Sequence, residues 1–285
     1  MMERGHLQNL SSRDETEVLE ALAYFDSRGF FIEPGESAEE FAQRLSKLLG
    51  EIEALGAGRS RFESVYSGAG EVSEGLISKA CKLTWSLYRF RADWLCAKVS
   101  ARRAGFLTAG ILYELDGFFP IVFLRDCSRP SAPKILAHEM CHAVKIPYPE
   151  SAYCEYFPRL VEGGAFRRLF GNIFRTWKVA FGLFGFASFS ALFFALGAPC
   201  LGALLSLVPL AIIIREFYLR GVLRKAGARL ESFGLMPLAL LFRMADCEIL
   251  DLAKSKNPRA WLEKRLETSP RWKMYARSLS LRDGL

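Results

Sequence analysis

The chain has 285 residues, 51% of them hydrophobic and 23 of them phenylalanine, with a net charge of +7. This length holds one sizeable core, or a smaller core plus membrane segments, and the positive mean hydropathy favours the second. Seven cysteines, an odd number with no CxxC pair, argue against a disulfide framework and fit a reducing compartment.

Met1 to Glu17 is polar and acidic and lacks the apolar core of a signal peptide, which places the expected catalytic region in the cytoplasm. Residues 1–57 read as an N-terminal helical region. Ser12 precedes Glu15 by three and Ser37 precedes Glu40 by three, both capping-box spacings, with Gly29, Pro34 and Gly35 in the turn between the helices. Phe41, Leu45, Leu48, Leu49 and Ile52 recur at helical spacing. No chemistry is visible here, so a docking or regulatory role is expected. Residues 58–82, rich in Gly, Ser and Glu, read as a linker.

The region 83–175 changes character. Trp94 to Ser100 predicts a strand or short helix. Thr108–Leu115 and Phe118–Leu124 predict two strands around an Asp116-Gly117 turn. Pro133 suits the first turn of a helix running to about Lys145, and Pro147 and Pro149 end it. Glu150 to about Phe170 reads as a second helix, interrupted by Pro158 and Gly163-Gly164.

Val179 to Ile214 contains no charged residue over 36 positions. One helix of that length would be about 54 Å long, too much for a hydrocarbon core of about 30 Å. Two spans of about 27 Å fit, so residues 176–216 predict a transmembrane helical hairpin turning at Gly197-Ala198-Pro199. Arg167, Arg168, Arg175 and Lys178 precede it, and Arg215, Arg220, Arg224 and Lys225 follow it. Both flanks are basic, so both belong on the cytoplasmic side, together with both termini and the catalytic domain. The expected partners are the lipid bilayer and a protein or peptide substrate, not nucleic acid. Residues 217–285 form a C-terminal helical region in which Phe233–Phe242 is too short to span.

The chemistry sits at His138-Glu139-Met140-Cys141-His142. Two histidines four apart lie on one helical face, one turn from each other, and can share one Zn2+. Glu139, offset by one residue, reaches the attacking water rather than the metal and serves as general base. Zinc needs a third protein ligand, and no third histidine follows closely. If the turn centres near Pro147-Tyr148, an antiparallel second helix sets Glu155 level with residue 140, between the two histidines, and Glu150 level with Lys145. Glu155 is therefore the first candidate and Glu150 the alternative. Cys141 points off the histidine face and reads as a small buried thiol.

At His138–His142 the chain resembles the gluzincin metallopeptidases. An HExxH helix before a transmembrane hairpin looks like the membrane zinc proteases of the CAAX prenyl protease and HtpX type. Ala245-Asp246, Asn257-Pro258 and Thr268-Ser269-Pro270 resemble that family's stretch after its hairpin. The resemblance implies a third-ligand glutamate four residues before the aspartate. Phe242 stands there instead, so the ligand has moved to Glu155 or Glu150, or is replaced by Asp246 or Glu248. Proteases of this class place a strand beside the site, for which Pro120–Leu124 is the candidate. The expected fold is α+β, a mainly helical zincin-like domain with a small β-sheet plus the hairpin. The expected function is that of a membrane-anchored zinc metallopeptidase. The alternatives are a non-catalytic membrane adaptor or pseudoenzyme, and an intramembrane protease, which the charged approach to the motif disfavours.

Overall fold

A computed structural model describes residues 2–105, 108–148, 152–164 and 177–280. It is mostly helical with a small mixed sheet. The N-terminal helices are α1 (Met2–Asn9), α2 (Glu15–Ser27) and α3 (Ala38–Gly56). The Ser37–Glu40 capping box forms at the start of α3. The Ser12–Glu15 box does not. Asp14 is the N-cap of α2 and accepts from Thr16 N–H, while Ser12 donates to Glu17. Asp14 stands immediately before Glu15, the first residue of α2, in the N-cap position that Ser12 precedes by two.

The stretch expected as a linker is structured. It holds α4 (Glu63–Tyr66), β1 (Gly70–Glu71) and the first half of α5 (Glu74–Tyr88). Leu76, Ala80, Cys81, Thr84 and Tyr88 lie on one buried face of α5 at helical spacing. Beyond it come β2 (Cys96–Val99), α6 (Ala101–Ala104), β3 (Gly110–Leu115) and β4 (Phe119–Leu124). The strand order is β1-β2-β4-β3, with β2 and β4 parallel and the outer pairs antiparallel. β4 is interior and buried at every position, as its unbroken apolar run requires. Asp116 and Gly117 both take positive φ (50° and 73°), the type I′ geometry that closes β3 onto β4.

α7 (Ala132–Ala143) packs on α5, β3 and β4, and α8 (Tyr156–Glu162) packs on α7. Two glycines with positive φ, Gly163 and Gly164, follow α8, so the described part of the helix expected over 150–170 is short. Next come α9 (Trp177–Ala195) and α10 (Pro199–Ser232), which pack against each other. Their turn is a Schellman motif: Ala198 N–H reaches Phe193 O and Gly197 N–H reaches Phe194 O. Ser190 Oγ donates to Gly202 O at 2.7 Å, and a Cβ on Gly202 would lie 2.8 Å from Phe194, so the two helices meet closely at that point.

α10 does not stop near residue 214. It is one helix of 34 residues, about 51 Å long. By length and composition it is able to cross a membrane. α9 and α10 expose large apolar side chains, among them Phe181, Phe184, Leu204 and Phe217 at 60–68%. The second half of α10 turns amphipathic and packs on α11 (Pro237–Arg243) and α12 (Asp246–Lys254), which are followed by α13 (Pro258–Thr268) and α14 (Pro270–Ser278). The apolar run before Arg243 is thus a core helix of the main body. α14 returns to α2, and a buried Arg243–Asp26 pair at 2.7 Å joins the two ends of the chain.

Candidate metal centre

α7 is held from three sides. Leu136, Ala137, Met140 and Cys141 are fully buried, which fixes the helix about its axis and leaves His138 and His142 facing the turn toward α8. Their ring centroids are 4.9 Å apart and their Nε2 atoms 3.2 Å apart. Glu155, the residue bounding α8 at its N-terminal end, meets them. Its Oε1 is 3.5 Å from His142 Nε2 and its Oε2 is 3.7 Å from His138 Nε2. Among the described residues these three form the one group of metal-ligating side chains, with donor atoms all within 4.8 Å of one another.

Two imidazoles and a carboxylate are a donor set that could hold a metal ion such as zinc. Ligands at 2.0–2.1 Å in a tetrahedron are separated by about 3.3 Å. The two Nε2 atoms are one such edge apart, at 3.2 Å, and each imidazole faces a different Glu155 oxygen, at 3.5 and 3.7 Å. Glu155 Oε2 is buried and accepts no hydrogen bond, its nearest cation being Arg159 at 3.3 Å. The segment leading to Glu155 is pinned by Asp246, which accepts from Ala152 N–H.

The other proposed ligands lie elsewhere. Glu150 falls outside the described residues. Phe242 is fully buried among Tyr88, Phe90 and Phe157, with ring centroids at 4.4, 5.4 and 5.5 Å. Glu248 accepts from Trp272 Nε1 at 3.1 Å and pairs with Arg271. Cys141 is buried, and burial pushes its thiol pKa up, consistent with a packing role.

One neighbour was not anticipated. Glu162, at the last position of α8, places Oε1 2.8 Å from His138 Nδ1. This is the distance of a charge-assisted contact, although the N–H direction is not aligned on the oxygen. A carboxylate on Nδ1 leaves Nε2 free to bind a metal and fixes the ring's tautomer. The sequence signal was available: Glu155 and Glu162 are seven apart, two turns on one face.

Glu139 is buried beside the pair but outside the ligand group. Burial raises its pKa; His138 opposes this, Glu155 and Glu162 add to it, and the group stands at about 7. Burial alone would lower the pKa of His138. Glu162, then Glu139 and Glu155, outweigh that, and it is raised. β3 comes close to Glu139. A Cβ on Gly110 would lie 3.3 Å from Glu139 Cγ and Oε1 and 2.7 Å from Ile135 Cγ2. β3 is also an edge of the sheet, with β1 at the other, while the expected strand, β4, is paired on both sides. Glycine is needed where the strand backbone crosses the helix this closely.

No known protein family, curated protein or solved structure matches the chain.

Proposed function

We propose that this chain is a membrane-anchored zinc metallopeptidase with a zincin-like catalytic domain. The observation that carries the reading is the convergence of His138 Nε2, His142 Nε2 and the Glu155 carboxylate within 3.2–3.7 Å, with Glu139 buried alongside. An HExxH helix with a glutamate from the following helix is a ligand set in which two neutral imidazoles and one carboxylate leave a fourth position open.

Zinc, when bound there, supplies Lewis acidity toward a water and a scissile carbonyl. The chain's own residues do the rest. His138, His142 and Glu155 hold the ion. Glu162 orients the His138 ring. Glu139 takes the proton of the attacking water and passes it to the leaving amine, closing the proton balance of hydrolysis. An extended peptide could lie along the free edge of β3, where Gly110 brings the strand against Glu139. α9 and α10 anchor the body as a hairpin, for which the exposed apolar side chains of both helices are the support. The motif helix α7 belongs to the sheet-bearing body and not to the apolar pair, which favours a site at the membrane face over one inside the bilayer.

The test is Glu139→Gln in the full chain, assayed on quenched fluorescent peptides. Zinc content should match wild type while turnover drops by about 10²–10⁴-fold. Unchanged turnover would remove Glu139 from the mechanism.

A further inference from the structure

A groove of about 810 Å³ runs between α8, α10 and α11. Its floor includes Leu160 of α8, Leu223 of α10 and Leu241 of α11, and Phe217 stands at its outer end. Phe217 is 63% exposed and continues the apolar surface of the hairpin without a break. Arg220 and Arg224 stand three and seven residues further along, on the same helical face. Arg220 is ion-paired to Glu216 at 3.0 Å. Arg224 is exposed and has no hydrogen bond or ion pair among the described residues. Glu231 closes the far end of the groove and would repel an anion there.

The arrangement has a direction. α10 carries no charge from Pro199 to Ile214, and Arg215 is its first charged residue. Arg220 lies about 8 Å along the axis from Arg215, with Arg224 one turn beyond. Long arginine side chains at this depth reach a headgroup layer while their stems stay on apolar surface. Apolar length joined to the bilayer side, with guanidinium groups at the polar end, matches a phospholipid bearing a negative phosphate.

We propose that this groove binds an anionic phospholipid of the bilayer, its phosphate on Arg224 and Arg220 and an acyl chain running over Phe217. The inference rests on the membrane-anchored reading. It adds a lipid contact to the helix that begins beside the Glu155 ligand, because Tyr156 and Leu160 line the same groove.

The full chain is reconstituted in nanodiscs of phosphatidylcholine, with or without phosphatidylglycerol. Hydrogen exchange is followed over residues 156–160 and 217–228, together with lipid retained after exchange into detergent. Phosphatidylglycerol should protect both segments and be retained. Arg224→Glu should reduce its retention by more than about fivefold, the effect of a single surface charge. Arg224→Lys should keep most of it, and Arg259→Glu on α13, outside the groove, should change nothing. Equal protection by both lipids, a wild-type response from Arg224→Glu, or full reproduction of the effect by inorganic phosphate would each overturn the groove assignment while leaving the anchor intact. A chain that fails to enter nanodiscs of either composition would overturn the anchor, and the groove with it.

Discussion

Gly110→Ala is a sharp probe of how the sheet meets the candidate metal centre. The added methyl would sit 2.7 Å from Ile135 Cγ2 and 3.3 Å from Glu139 Cγ and Oε1. Carbon atoms rest at about 3.5–4.0 Å, so the Ile135 contact demands a shift of roughly 1 Å. Overpacking of this kind costs about 1–3 kcal/mol, and each kcal/mol lowers the thermal midpoint by about 2–4 °C in a chain of 150–250 residues. Glu139 must give by a few tenths of an ångström as well, so turnover should fall by less than the about 10²-fold of a 1 Å misplacement. His138 and His142 lie away from Gly110's contacts, so metal content should stay at the wild-type level. A second substitution, Ile135→Ala, removes the nearer clash. It should restore the thermal midpoint of Gly110→Ala but not its turnover, because the approach to Glu139 remains. Differential scanning fluorimetry, zinc analysis and peptide hydrolysis on the three proteins separate these effects. If Gly110→Ala keeps both midpoint and turnover, β3 does not press on Glu139 and the reasoning fails.

Two further outcomes follow from the same contacts. Glu162→Gln should weaken zinc affinity by about 10–100-fold through the His138 ring, with the fold unchanged by circular dichroism; affinity equal to wild type would show that Glu162 does not orient the ligand. Acid stability should depend on Glu248. Burial pushes its pKa up, but the Arg271 guanidinium, the Ala245 N–H and the Trp272 N–H more than reverse this, and the folded pKa lies below the usual value of 4.5. Its contribution is therefore complete above about pH 4.5 and is lost as pH falls through the folded pKa. Glu248→Gln should lower stability at pH 7 and flatten the acid limb of the stability curve, and an acid limb that stays as steep as wild type would count against it.

Much of the candidate site is legible in the sequence because helical spacing fixes it. His138 and His142 need only a helix between Pro133 and Pro147 to converge, and α7 is that helix. Glu155 was reached through an antiparallel helix beginning at 150. It arrives instead at the boundary of the short α8, with its approach pinned by Asp246 from 94 residues away. Glu162 went unread because its role appears only once α8 folds back and sets its last turn over His138. The identity of the edge strand was also hidden. β3 and β4 both read as strands, but only the pairing of β4 with β2 makes β4 interior. α5 was masked by the Ser and Glu at its exposed start, although Leu76, Ala80 and Thr84 carry a helical face. The apolar run ends at Ile214 but α10 does not, because the charge that follows marks a change of surroundings and not a break in the helix.

Under the proposed function, His138, His142 and Glu155 together hold one zinc ion. Metal analysis of the purified full chain tests it most directly, alongside His142→Ala and Glu155→Ala. About one zinc per wild-type chain is expected, with retention lost in His142→Ala and sharply reduced in Glu155→Ala, while both variants stay folded. A folded wild-type chain that takes up no zinc, or a Glu155→Ala variant that holds it as tightly as wild type, would contradict the account.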